Sequence, residues 1–198
     1  MTATPMFPLG SVLLPYSPLP LRVFETRYLR MIGQLLDEED PRFGVVLIER
    51  GHEAGGGDQR STVGTMARLV SVSAGAETLR IVAVGTERFT VDRWHGDDPF
   101  PRADVTALPG LVWNEALAPL RREAESIVRR ALAIAPEARW DAGTELSDDP
   151  LAAAWQLAAI APLGEYDRYV LLQSTTVGAL LRQVIDLTLE AELLWSAR

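Results

Sequence analysis

The chain has 198 residues, 47% of them hydrophobic and 23% charged, with a formal net charge of −8 and an isoelectric point near 4.8. That composition supports one large or two small cores, and no apolar run approaches the roughly 20 residues a membrane span needs. Cysteine is absent and all 19 basic residues are arginine, so disulfides, thiolate chemistry, a P-loop lysine and a Ser-Lys dyad are excluded.

The acidic balance makes the chain a poor phosphate binder overall, because nucleic-acid affinity rests on cationic contacts with the backbone. The N-terminus "MTATPMFPLG" has no basic region followed by an apolar one, so no signal peptide is expected. Together with the missing cysteines this predicts a cytoplasmic protein.

The first half reads as β. "MFPLGSVLLP" is apolar and punctuated by Gly10 and Pro15. "LPLRVF" alternates Leu19, Leu21 and Val23 against Pro20 and Arg22, the pattern of a half-buried strand, with Phe24 expected to anchor its end in the core. A helix follows from Glu25 to about Asp37. Its apolar positions Tyr28, Met31, Ile32, Leu35 and Leu36 form one stripe, and Arg27, Arg30 and Gln34 fall on another face. Glu25 is expected in the first turn, where the helix dipole favours a carboxylate.

"FGVVLIE" (Phe43 to Glu49) is a continuous apolar run and predicts a central strand. "VGTMARLVSVS", "TLRIVAVGTE", "RFTVDRW" and "PRADVTAL" predict four more, with "SAGAE" (Ser73 to Glu77) as a hairpin turn between the first two.

The second half reads as α. Leu117 to Leu132 carries a helical apolar pattern inside a helix from about Trp113 to Ile134, with Pro119 delaying its start. Asp149 followed by Pro150 is an N-cap with an N1 proline, opening "LAAAWQLAAI". "EYDRYVLLQ" predicts a short helix. "TTVGALLRQVIDLTLEAELLW" predicts a long one capped by Ser174 or Thr175. Strands, one helix, more strands and then helices argue an α+β chain, with a β-rich part at 1–110 and a helical part at 111–198.

Candidate chemistry is sparse. "GHEAGGGDQRS" (Gly51 to Ser61) is Gly-rich, but a strand follows it where a phosphate cradle needs a helix N-terminus, so it reads as a loop. His95 stands beside Asp97 and Asp98 in an acidic loop and His52 in the Gly-rich one. Neither offers the three or four converging ligands of a stable metal site, and no G-x-S-x-G elbow supports a hydrolase triad. No cofactor is expected. "RREAESIVRR" (Arg121 to Arg130) reads as a helix surface laced by i, i+4 ion pairs. Trp140, in a polar loop beside Arg139 and Asp141, is the tryptophan expected to be most exposed.

"MFPLGSVLLPYSPLPLRVFETRYLRMI" resembles the opening block of the Lon protease N-terminal (substrate-binding) domain family, with its pattern PLFPL…VLFP…PLxVFExRYxxM. Phe7, Pro8, Leu9, Val12, Leu14, Pro15, Pro20, Leu21, Val23, Phe24, Glu25, Arg27, Tyr28 and Met31 carry the match. Later blocks resemble the family through Gly44, Gly64 and Thr65, and through Gly85, Arg88, Phe89 and Val91. The resemblance implies a PUA-like β pseudo-barrel with one inserted helix, followed by a helical bundle. It also implies a non-catalytic module that binds unfolded or exposed polypeptide segments, as an adaptor or holdase-like recogniser working with a protease or chaperone. With neither a P-loop nor a lysine, the chain is expected to be a short, stand-alone member of that family. Arg27, Arg30, Gln34 and Trp140 are the expected partner contacts. RNA binding, common among PUA-like folds, is the alternative that the net charge disfavours, and an undetected hydrolase or small-molecule site is the third.

Overall fold

The computed structural model of the protein describes residues 3–50, 59–75 and 78–196. The chain divides into two compact units, residues 1–109 and 110–198.

The first unit is a six-stranded sheet and one helix. The strands are β1 (Thr4–Leu9), β2 (Pro18–Val23), β3 (Arg42–Arg50), β4 (Gln59–Ala74), β5 (Leu79–Trp94) and β6 (Arg102–Ala107), with α1 (Thr26–Leu35) between β2 and β3. Their order is β2-β5-β4-β3-β1-β6, and β6 returns to pair with β5. The ring β5-β4-β3-β1-β6 therefore closes, while β2 lies on the open flank of β5. Only β1 and β3 run parallel among these pairs, with Phe7 opposite Val45.

Closure depends on the length of β5. Two expected strands, "TLRIVAVGTE" and "RFTVDRW", are one 16-residue strand. Its first half (79–84) pairs with β2 and its second half (89–94) with β6. Gly85 sits at the changeover, where a Cβ would come 2.4 Å from the Leu14 carbonyl oxygen. The loop around Leu14 is tied there by two backbone bonds, Tyr16 N–H to the Gly85 carbonyl at 2.8 Å and Gly85 N–H to that of Ser17 at 3.0 Å. Buried Thr65 donates to the Leu13 carbonyl at 2.6 Å.

Alternation along β1 and β3 feeds two separate cores. Phe7, Leu9, Phe43 and Val45 join the stripe of α1 (Tyr28, Met31, Ile32, Leu35), with the rings of Phe7 and Tyr28 stacked at 3.9 Å. Met6 and Val46 join Phe89 and Ala103 in the other core. Burial on both faces is why β3 reads as an uninterrupted apolar run.

Gly44 and Gly64 are where the second core is tightest. A Cβ on Gly44 would lie 2.5 Å from Met6 Sδ and 2.9 Å from Phe89 Cζ; one on Gly64 would lie 2.3 Å from the Val45 carbonyl and 2.5 Å from Phe89 Cζ. These glycines are needed for close approach.

The helical unit contains α2 (Ala118–Ile134), α3 (Pro150–Ile160), α4 (Glu165–Leu172) and α5 (Val177–Ser196). A 3-10 turn at Glu115–Leu117, capped by Asn114, precedes α2 and displaces its start from Trp113. Asp149 caps α3, accepting from Ala152 N–H at 2.7 Å. α3 is buried almost all round, so it forms the centre against which α2 and α5 lie. The cap of α5 is neither Ser174 nor Thr175: Thr176 Oγ1 accepts from Ala179 N–H at 3.0 Å, and Ser174 donates to Gln183 instead.

Two glycine substitutions should act in opposite directions. Gly64→Ala forces a methyl into a backbone carbonyl and an aromatic ring, and should lower unfolding stability by roughly 3 kcal/mol. Gly33→Ala, on an exposed turn of α1 with nothing within 4 Å of the new Cβ, should raise it by about 1 kcal/mol through helix propensity alone. Urea midpoints of the two variants check both signs.

Candidate functional site

The joint between β2 and α1 differs in detail from expectation. Phe24 is 63% exposed and does not anchor the strand. Glu25 is the N-cap residue, but its side chain makes no cap bond; it accepts from Arg27 Nε at 3.1 Å. Arg27 also lies over the Tyr28 ring at 4.6 Å, so it is half-buried rather than turned to solvent. This folded-down arginine covers the aromatic stack beneath it. Arg30 and Gln34 are exposed, as their helical spacing predicts.

Gln34 borders a groove of about 410 Å³ in the first unit, with Met66, Phe100, Glu38, Arg42 and Arg102 among its lining residues. Arg102 crosses its mouth, 4.5 Å above the Phe100 ring and 3.3 Å from Gln34 Oε1. Met31, Leu35 and Phe100 are almost fully buried, so little apolar surface is presented there.

Trp140 lines a cleft of about 550 Å³ in the helical unit, together with Pro136, Ile160, Pro162, Leu194 and Trp195. Trp140 is half-buried against this cleft rather than freely exposed. Leu194, from the last turn of α5, is 69% exposed. Apolar walls here remain open to solvent, which distinguishes this concavity from the groove of the first unit.

The cleft floor is held by Arg168. Its Nη1 donates to the Ala159 carbonyl at 2.6 Å, Nη2 to Ala161 at 3.1 Å and Nε to Leu163 at 3.1 Å. These carbonyls end α3 and form the turn after it, so one buried guanidinium satisfies acceptors that the helix leaves open. Burial pulls its pKa down, and Glu165, 3.9 Å away, opposes that shift. Glu165 in turn accepts from Arg139 at 3.2 Å on the rim. Sequence reading missed Arg168, Leu194 and Trp195. Arg168 had one available signal, an arginine four residues past a Pro-Leu-Gly helix stop; an exposed Leu194 looks in sequence like any other core leucine.

Among the described residues, His95 gives no reactive centre. His95 is exposed and its Nε2 lies 2.9 Å from Asp104 Oδ1, but Arg93 holds the same carboxylate at 2.8 Å and no hydroxyl joins them. Asp97 is taken by Arg60, which stacks on Trp94 at 4.4 Å. His52 lies outside the described residues. Among the described residues no group of three or more His, Asp or Glu could hold a metal ion, and no helix is long and apolar enough to cross a membrane. On α2 the predicted lacing is present, with Glu125 between Arg121 and Arg129 at 3.2 and 2.8 Å.

Comparison with known proteins gives one answer. Residues 3–190 match the model of the ATP-dependent protease La (LON) substrate-binding domain. A curated relative, Lon protease 2 of Sorangium cellulosum, is 28% identical over 193 residues; the match covers 92% of this chain but only 24% of that protein. A Lon N-terminal domain protein from Xanthomonas campestris superimposes with a TM-score of 0.67 at 27% identity, covering 94% of this chain and 98% of that one. The N-terminal domain of a Mycobacterium avium complex Lon protease superimposes at 0.64 with 18% identity, over the same shares, and speaks for the fold alone. That fold is PUA-like.

Arg168→Met should cost about 3 kcal/mol by removing three bonds to buried carbonyls, of which Ala161 keeps the Leu163 N–H at 2.8 Å, and Arg168→Lys should recover only part, since an ammonium lacks the planar fork; denaturant midpoints check both. Asp104 is held below the usual carboxylate range by its bond to His95 first and to Arg93 second. A folded pKa that is depressed contributes stability above the unfolded value and loses it as pH falls through the folded one. A carboxyl-carbon NMR titration should therefore show Asp104 moving up in His95→Ala.

Proposed function

The chain belongs to the ATP-dependent protease La (LON) substrate-binding domain family, and from that premise we propose that it is a non-catalytic module that recognises exposed apolar segments of polypeptides. The observation that carries this reading is the open apolar cleft of the helical unit, where exposed Leu194 and half-buried Trp140 and Trp195 line a concavity whose wall is fixed by Arg168. The apolar area that such side chains leave open around a concavity gains by being covered, at about 25 cal/mol per Å². A rigid floor limits the ordering cost of binding.

In this reading the helical cleft takes apolar side chains of an unfolded segment, with Trp140 as the principal contact. Gln34 and Arg30 on α1 are secondary contacts, and Arg27 acts through Tyr28 as a support. Whether bound segments are held or handed to a protease or chaperone is decided by the partner; an adaptor or holdase role fits a module that binds and carries no reactive centre among the described residues.

The test is binding of a permanently unfolded, carboxymethylated protein, followed by anisotropy and by tryptophan emission. The expected result is saturable binding with a blue shift from Trp140 and Trp195, weakened about tenfold in Trp140→Ala and in Leu194→Ser. Binding no stronger than that of an unrelated acidic domain would sink the reading.

A further inference from the structure

The outer face of the sheet where β2, β5 and β4 run side by side breaks a rule of strand pairing. Arg22 on β2 and Arg80 on β5 are direct cross-strand partners, with Ser73 of β4 next in the same row. Like charges placed opposite each other across strands repel. Proteins normally relieve this with a nearby carboxylate. Here neither arginine has a carboxylate within salt-bridge distance among the described residues, and both side chains are exposed. Two rows along lies a third exposed arginine, Arg68, opposite Val84, also without an acidic partner among the described residues. It stands about 13 Å from the Arg80 row at the usual rise per residue. Asp40, just before β3, and Glu87 on β5 are both taken by Arg42.

Between the arginines the surface is aliphatic. Val82 on β5 is 36% exposed, Val70 on β4 is 59% exposed, and Pro18 and Pro20 of β2 are exposed beside them. Pro18 and Pro20 have no N–H, so the free edge of β2 is poor at adding a further strand. The face is therefore suited to recognition by side chains. A cationic and aliphatic face on a chain of net charge −8 complements one occupant chemistry. That occupant is a polypeptide segment in which carboxylates alternate with aliphatic residues.

We propose that this face, built on Arg22, Arg80, Arg68, Val70 and Val82, docks an acidic, aliphatic polypeptide segment. Nucleic acid fits less well. Three cations supply little phosphate affinity, and the positions between them are valines and prolines where single-stranded bases need aromatic platforms. The inference rests on the preceding reading only in taking the partner to be a polypeptide, and it uses a surface separate from the helical cleft.

The experiment uses the full chain and two labelled peptides, one alternating Glu with Val and Leu, the other the same peptide with Lys for Glu. The Glu peptide should bind more tightly than the Lys peptide and weaken as salt rises. Arg22→Glu and Arg80→Gln should each weaken it about tenfold. Both variants should melt no lower than the parent, because each removes the cross-strand repulsion. That result separates lost contacts from lost folding. Equal binding of the two peptides, or unchanged binding in both variants, would overturn the proposal. So would an RNA oligonucleotide that binds this face more tightly than the Glu peptide, or a change in self-association as the only effect of the variants. The unfolded carboxymethylated protein is measured in parallel with Trp140→Ala. If it binds through the cleft while the arginine variants change nothing, only the docking face is wrong; if it fails to bind while the Glu peptide binds as expected, only the cleft reading is wrong.

Discussion

The first unit is organised around the contact of one aromatic ring with two glycines. Phe89 sits on β5 with its ring against Gly44 of β3 and Gly64 of β4. Any side chain at either glycine would push β3, β4 and β5 apart at the point where β4 pairs with both neighbours. Because the ring fills the space that two missing Cβ atoms leave, the strands can curve without opening a void. β5 then turns past Gly85 and changes partners from β2 to β6, which closes the barrel. The loop at Leu13 and Leu14 is pinned to the same place through Thr65 and Gly85, so the connection into β2 and α1 inherits its position from this contact.

The helical unit solves a different problem with a different device. α3 is buried almost all round, so its C-terminal carbonyls end inside the unit, where water cannot satisfy them. Arg168 reaches back from α4 to do so, and in doing so fixes the turn at Pro162 and Leu163 that forms part of the cleft. A structural arginine thereby shapes the cleft without itself being exposed. Its exposed neighbour Arg139, joined to Glu165, belongs to the rim. The same logic applies at Arg27, which looks in sequence like a contact residue and in the structure is committed to Glu25 and Tyr28.

The two proposed surfaces differ in what makes them available. The cleft is open because bulky apolar groups near the end of α5, Leu194 above all, stay exposed. The sheet face is open because β2, β5 and β4 turn one side to solvent and carry arginines without a carboxylate partner among the described residues. One would act chiefly through desolvation, the other through charge with an aliphatic component, and salt separates the two.

Much of this was legible along the chain. Strict spacing of Tyr28, Met31, Ile32 and Leu35 gave α1, and a run buried on both faces gave β3. Asp149 and Pro150 gave the start of α3, and the glycine and aromatic blocks gave the family, because each of these signals is local and periodic. What local pattern cannot carry is which strands meet and which arginines are spent. The joining of two apparent strands into β5, the exposure of Phe24, the burial of Arg168, the cap at Thr176 and the facing of Arg22 with Arg80 all follow from partners distant in sequence or from a choice between adjacent hydroxyls. Only the tertiary structure decided them, since register and packing set which side chain meets water and which meets another chain segment.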